Sequence, residues 1–153
     1  MEYIRNLIRN VPDFPKEGIA FKDITPVLAD IETLRLAVKE MASPFEDSGI
    51  DVVVGIESRG FIFGTPIADI LNANFVPVRK PGKLPWKTEK IEYELEYGTD
   101  SLEIHLDGIK KGQRILIVDD LLATGGTAEA TCKLVSKLGG NILGFTVLVE
   151  LEF

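Results

Sequence analysis

Hydrophobic positions change period several times along this chain, and each change marks an element. Glu2 to Arg9 carries Ile4, Leu7 and Ile8 on one helical face and ends at Asn10, Val11 and Pro12. A proline-rich loop follows. From Asp30, a candidate N-cap, Leu34, Ala37, Val38 and Met41 recur at helical spacing until Pro44 stops the pattern. Asp51 to Glu57 reads as a buried strand, Phe61 to Leu71 as a helix packing back on it, and Phe75 to Val78 as the next strand, before Pro81, Gly82 and Pro85 mark a loop. Ile91, Tyr93, Leu95 and Tyr97 alternate with Glu92, Glu94 and Glu96, the period of two of a half-exposed strand. A turn at Gly98 to Asp100 then leads to Leu102, Ile104 and Leu106, which completes an antiparallel hairpin. Ile115 to Val118 is a continuous apolar run suited to a strand buried on both faces. A helix from Thr127 to Leu138, stopped by Gly139 and Gly140, and a strand from Ile142 to Val149 close the chain.

Strands alternating with helices predict an α/β fold: a parallel sheet flanked by helices, with one antiparallel hairpin inserted as a flap. At 153 residues and 45% hydrophobic content, the chain suffices for a single domain with a real core, residues 1–153. The formal net charge of −7 argues against nucleic acid as a partner, so anionic ligands must be met by local basic clusters. A lone cysteine excludes an internal disulfide and is compatible with a reducing cytosol. Cys132 falls at helical spacing with Ala128, Val135 and Leu138, so core packing is expected of it. With no signal peptide expected ahead of the amphipathic start, and no apolar run near the roughly 18 residues of a membrane span, a soluble cytoplasmic protein with no membrane partner is expected.

The chemistry concentrates between Ile115 and Thr127, ILIVDDLLATGGT. Asp119 and Asp120 stand at the carboxyl end of a strand, where open parallel sheets bind ligands, and two carboxylates there can accept hydrogen bonds from a ribose diol. Ala123, Thr124, Gly125, Gly126 and Thr127 supply small side chains and bare amides at a helix start, a setting that favours a dianionic phosphate. Together they have the shape of a site for ribose 5-phosphate. The string is neither a Walker loop nor a dinucleotide fingerprint. A second strand ends in GIESRGF, where Glu57, Ser58 and Arg59 beside a glycine turn form another candidate anion pocket, with a surface ion pair as the competing reading of Arg59. Arg79, Lys80 and Lys83 form the densest basic cluster in an acidic chain, and solvated surface is the alternative reading for them.

The ILIVDDLLATGGT string resembles the phosphoribosyl diphosphate signature of the type I phosphoribosyltransferases, most closely in the form their adenine-using members carry. VPDFPKEGIAFKDITPVL, GIESRGFIFG, RKPGKLP, YELEYG and LVEL extend the likeness, in order, over nearly the whole chain. The resemblance implies the type I fold with a small N-terminal hood (residues 1–30) and a flexible flap from Leu84 to Leu106. It implies transfer of a 5-phosphoribosyl group from phosphoribosyl diphosphate to N9 of adenine, giving AMP and pyrophosphate in purine salvage, with Mg2+ brought in as a substrate complex and no direct protein ligand for the metal. A homodimer is expected on the same ground. Members usually run on past LVEL, so the end at Phe153 reads as short for the family.

The same likeness assigns roles. Glu57, Ser58, Arg59, Arg79, Lys80 and Lys83 fall on the pyrophosphate side, with a strained or cis peptide between Glu57 and Ser58. Phe21 stacks on one purine face and Leu121 on the other, while backbone groups of Ala20 and Lys22 read the adenine edge. Glu96 is matched to a proton-handling group and Tyr97 to a flap-closing tyrosine; by alternation alone, Glu96 reads equally as part of a solvated acidic edge with Glu92 and Glu94. Arg59, Asp119, Asp120 and Glu96 are the catalytic candidates. Ala123 occupies a place where 6-oxopurine enzymes carry an acid, which points to adenine. Guanine or hypoxanthine use, and a purine-responsive regulator on the same fold, are the alternatives, although no basic helix-turn-helix stretch is present for the latter. His105 is expected at the surface.

Overall fold

A computed structural model describes residues 2–95 and 98–152; Glu96 and Tyr97 lie outside the described residues. The chain divides between Glu40 and Met41 into two compact units.

In the N-terminal unit, α1 (Glu2–Leu7) buries Ile4, and β1 (Arg9–Val11) pairs antiparallel with β2 (Phe21–Asp23). Neither strand was legible in the sequence, because three residues are too few to display a period of two. The rings of Phe14 and Phe21 meet edge to face at 5.2 Å, and Lys22 Nζ donates to Asn10 Oδ1 at 3.3 Å across the pair. After α2 (Thr25–Leu28) comes α3 (Ile31–Ala42), whose start has the expected cap: the Thr33 amide donates to Asp30 Oδ1 at 2.8 Å.

The C-terminal unit contains β3 (Val52–Ile56), α4 (Arg59–Ile70), β4 (Asn74–Val78), β5 (Thr88–Glu94), β6 (Thr99–His105), β7 (Arg114–Leu122), α5 (Gly126–Lys137) and β8 (Asn141–Glu150). β4, β3, β7 and β8 form a parallel sheet in that order, the α/β architecture expected from the alternation of elements. Val52 to Ile56 and Ile115 to Val118 are buried throughout, since helices and hairpin leave neither face of the central strands to water. β7 outruns its apolar segment: Asp119, Leu121 and Leu122 still pair with Val147, Val149 and Glu150 of β8. Backbone pairing does not depend on side-chain polarity, so both aspartates belong to the strand itself rather than to the turn after it.

β5 and β6 make the hairpin, in register from Thr88 opposite His105 to Glu94 opposite Thr99. Its alternation is as expected up to Glu94, with Ile91 and Tyr93 packed against the core and Glu92 and Glu94 exposed, but Leu95, expected inward, lies past the end of the strand and is exposed. The hairpin is rooted beside the end of β4, where Arg79 and Glu103 exchange two backbone hydrogen bonds, of 2.9 and 2.7 Å. His105 is a departure from expectation. It is half-buried at the foot of the hairpin, its ring edge to face with Trp86 at 6.5 Å and its Nε2 buried without a partner. Cys132 packs beside the core as expected, and burial pushes its thiol pKa up.

Candidate active site

The carboxyl ends of β3 and β7, the start of α5 and the inner face of the hairpin enclose a cavity of about 260 Å³. Asp119 and Asp120 line it together with the whole turn from Leu121 to Ala128, so the diol-binding and phosphate-binding candidates share one space. The turn owes its path to Gly125, whose φ of +88° lies in the left-handed region that suits glycine. α5 then starts without a side-chain cap, and its first ladder bond is Glu129 N to Gly125 O at 2.8 Å. The preceding amides have no intrahelical acceptor, which leaves donors and the positive end of the helix dipole facing the cavity.

The aspartates are nearly inaccessible, at 9% exposure for Asp119 and 6% for Asp120. Asp119 Oδ1 accepts the Asp120 amide at 2.8 Å, and Asp120 Oδ2 accepts Arg59 Nε at 2.5 Å. Burial is the main cause that raises the Asp119 pKa to about 8; the Asp120 amide opposes it, the neighbouring Asp120 side chain adds to it, and Arg59 pulls the other way. Hydroxyl donors or a growing positive charge in the cavity would favour the ionised form. Close packing makes this arrangement possible. A Cβ on Gly60 would lie 2.8 Å from the Val118 carbonyl oxygen and 3.2 Å from Asp119 Oδ1, so only glycine lets the start of α4 come this near β7.

Of the basic residues, Arg59 and Lys80 line the cavity and each is engaged by a carboxylate: Arg59 by Asp120, and Lys80 Nζ by Asp100 Oδ2. Glu57 also lines it, and its Oε2 accepts Arg79 Nε at 3.1 Å and the Lys80 amide at 2.7 Å. The Glu57–Ser58 peptide is cis, as the resemblance implied. Ser58, Arg79 and Lys83 are not among the residues that line the cavity. Leu121 is on its wall, whereas Ala20, Phe21 and Lys22 belong to the N-terminal unit. Among the described residues no cluster of His, Cys, Asp and Glu is suited to hold a metal ion.

Sequence reasoning missed Tyr93 and Asp100. Tyr93 lines the cavity, and its hydroxyl lies 3.3 Å from Thr127 Oγ1 and 3.4 Å from Asp100 Oδ2. Alternation identified Tyr93 as an inward residue, but not that it reaches the glycine turn at the start of α5.

The model of the phosphoribosyl transferase domain family matches residues 27–151. The chain belongs to that family. Among similar phosphoribosyltransferases, the adenine phosphoribosyltransferase of Christiangramia forsetii is 59% identical over 150 residues, spanning 98% of this chain and 88% of the relative. That of Acetivibrio thermocellus is 61% identical over 147 residues, spanning 95% and 86%. The crystal structure of adenine phosphoribosyltransferase from Rhodothermus marinus superposes with a TM-score of 0.93 at 57% identity, covering 98% of this chain and 85% of that one. The Saccharomyces cerevisiae enzyme, solved with an imino-altritol bisphosphate and adenine, gives a TM-score of 0.90 at 42% identity, covering 98% and 88%.

Proposed function

We propose that this phosphoribosyltransferase makes AMP and pyrophosphate from adenine and phosphoribosyl diphosphate, a purine salvage reaction. One observation carries the reading: buried paired carboxylates and an uncapped helix start line a single cavity. Similarity to relatives named adenine phosphoribosyltransferase supplies the base, as does Ala123 at the place where an acid marks 6-oxopurine enzymes.

In this reading the amides of Thr124 to Thr127 hold the 5-phosphate, and Asp119 and Asp120 accept hydrogen bonds from the ribose hydroxyls. As the bond from C1 to pyrophosphate breaks, positive charge grows on the ribose ring, and the two buried carboxylates stabilise it. Arg59 and Lys80 meet the leaving group. Arg79 contributes through Glu57, which it holds in place. N9 of adenine then bonds to C1, with Leu121 and Phe21 on the two faces of the base, backbone groups of Ala20 and Lys22 at its edge and Glu96 handling its proton. Tyr97 and the flap from Leu84 to Leu106 exclude water, which would otherwise compete as nucleophile. Residues 1–30 form the small N-terminal hood. Mg2+ enters with phosphoribosyl diphosphate as substrate. A homodimer in the cytoplasm completes the reading.

The test is product formation with magnesium and phosphoribosyl diphosphate against adenine, guanine and hypoxanthine in turn. AMP from adenine alone is expected. GMP or IMP with adenine inert would overturn the specificity, and tight binding without turnover would favour a regulator. Asp120→Asn should reduce turnover by about 100-fold, the scale of a lost charge-stabilising group, while the fold stays intact.

A further inference from the structure

One carboxylate on the hairpin joins two residues that line the cavity, Lys80 and Tyr93. Asp100, on β6, accepts Lys80 Nζ and, at 3.4 Å, the Tyr93 hydroxyl on the same oxygen, Oδ2; its Oδ1 accepts the Ser101 amide at 2.8 Å, which fixes the side chain. Tyr93 continues the chain of contacts to Thr127 Oγ1 at 3.3 Å, in the first turn of α5, and its ring lies 3.8 Å from where a Cβ on Gly126 would stand. Lys80 stands two residues beyond the end of β4 and also lines the cavity. A continuous polar path thus runs from Lys80 through Asp100 and Tyr93 to the phosphate turn.

We propose that Asp100 is a positioning residue that latches the hairpin over the cavity, and that pyrophosphate oxygens compete with it for Lys80. The proposal rests on the reading of the cavity as a phosphoribosyl diphosphate site. The side chains are only partly shielded, Lys80 at 41% and Asp100 at 26% exposure, so this ion pair is exchangeable rather than locked. An incoming polyanion offers the ammonium several oxygens in place of two, and Lys80 passes from one acceptor to the other without ever lacking one. Asp100 then keeps the Tyr93 hydroxyl and the Ser101 amide, so the hairpin stays in place while Lys80 turns to the leaving group. Tyr93 stays as the contact at the phosphate turn.

Asp100→Asn keeps the side-chain shape and the amide contact but removes the competing charge. Magnesium pyrophosphate should bind this variant about three- to five-fold more tightly by calorimetry, the scale of a partly exposed ion pair. Amide exchange in residues 88–94 and 99–105 of the ligand-free variant should be faster, with the KM for adenine unchanged. In a Lys80→Gln background the same substitution should leave pyrophosphate affinity unaltered, a result that a merely structural role of Asp100 would not produce. Unchanged or weaker pyrophosphate binding by Asp100→Asn overturns the competition, and unchanged hairpin exchange overturns the latch. Adenine turnover by the unmodified chain separates the two levels: with turnover present, those failures remove Asp100 alone, whereas its absence removes the functional reading and this proposal together.

Discussion

Replacing Gly60 by alanine tests whether the candidate site depends on close approach of α4 to β7. The added Cβ would stand 2.8 Å from the Val118 carbonyl oxygen, 3.2 Å from Asp119 Oδ1 and 3.3 Å from Asp119 Cα, and two of those three atoms belong to the backbone of the central strand. A strand paired on both sides cannot rotate away, so the start of α4 must move out by several tenths of an ångström. Overpacking of this kind costs about 1–3 kcal/mol, offset by at most about 1 kcal/mol from the better helix propensity of alanine. A net loss of about 1–2 kcal/mol lowers Tm by roughly 3–6 °C in a domain of this size. The effect on turnover should be larger. Arg59 is the neighbouring residue and sits 2.5 Å from Asp120, so the same displacement pulls on the carboxylate pair itself, and misplacement on this scale costs on the order of 10- to 100-fold in rate. Gly64→Ala provides the contrast: its Cβ would meet the Phe75 ring at 2.7 Å, away from the aspartates, and should cost stability with turnover largely kept. Thermal melts and steady-state rates on both variants decide the matter. Unmodified melting and rate in Gly60→Ala would refute the packing argument.

Asp119 gives a pH prediction. Its folded pKa of about 8 lies above the ordinary carboxylate value near 4, so its contribution to stability is complete below about pH 4 and is lost as pH rises to about 8. Asp119→Asn should therefore lose less stability than the unmodified chain between pH 5 and pH 9 in urea melts; equal losses would contradict the assignment. In Gly125→Ala no atom lies within 4 Å of the new Cβ, so the cost is purely that of holding φ at +88°, about 1–2 kcal/mol, and ribose 5-phosphate should bind more weakly in a direct titration. Undiminished affinity would mean that the turn does not shape the phosphate cradle.

Much of this arrangement was legible because a few sequence signals are strong. The unbroken apolar runs at Val52 and Ile115 announced strands buried on both faces, and the glycine turn after Leu122 announced a helix start open to an anion. What stayed hidden depended on long-range geometry. Three-residue β1 and β2 show no period. Alternation along β5 sorted Tyr93 from Glu92 and Glu94, yet only the docking of the hairpin beside Arg79 puts that ring against Gly126. Arg59 was read as a leaving-group ligand; its Nε pairs with Asp120, 61 residues away in sequence, a pairing no local pattern encodes. His105 was expected at the surface, but the fold brings Trp86 against it.

The most direct test of the central claim is a crystal structure with AMP bound. The phosphate oxygens should lie within about 2.7–3.1 Å of amides between Thr124 and Thr127, with the ribose hydroxyls on Asp119 and Asp120. A phosphate seated elsewhere on the chain, with this cavity left to solvent, would contradict the account.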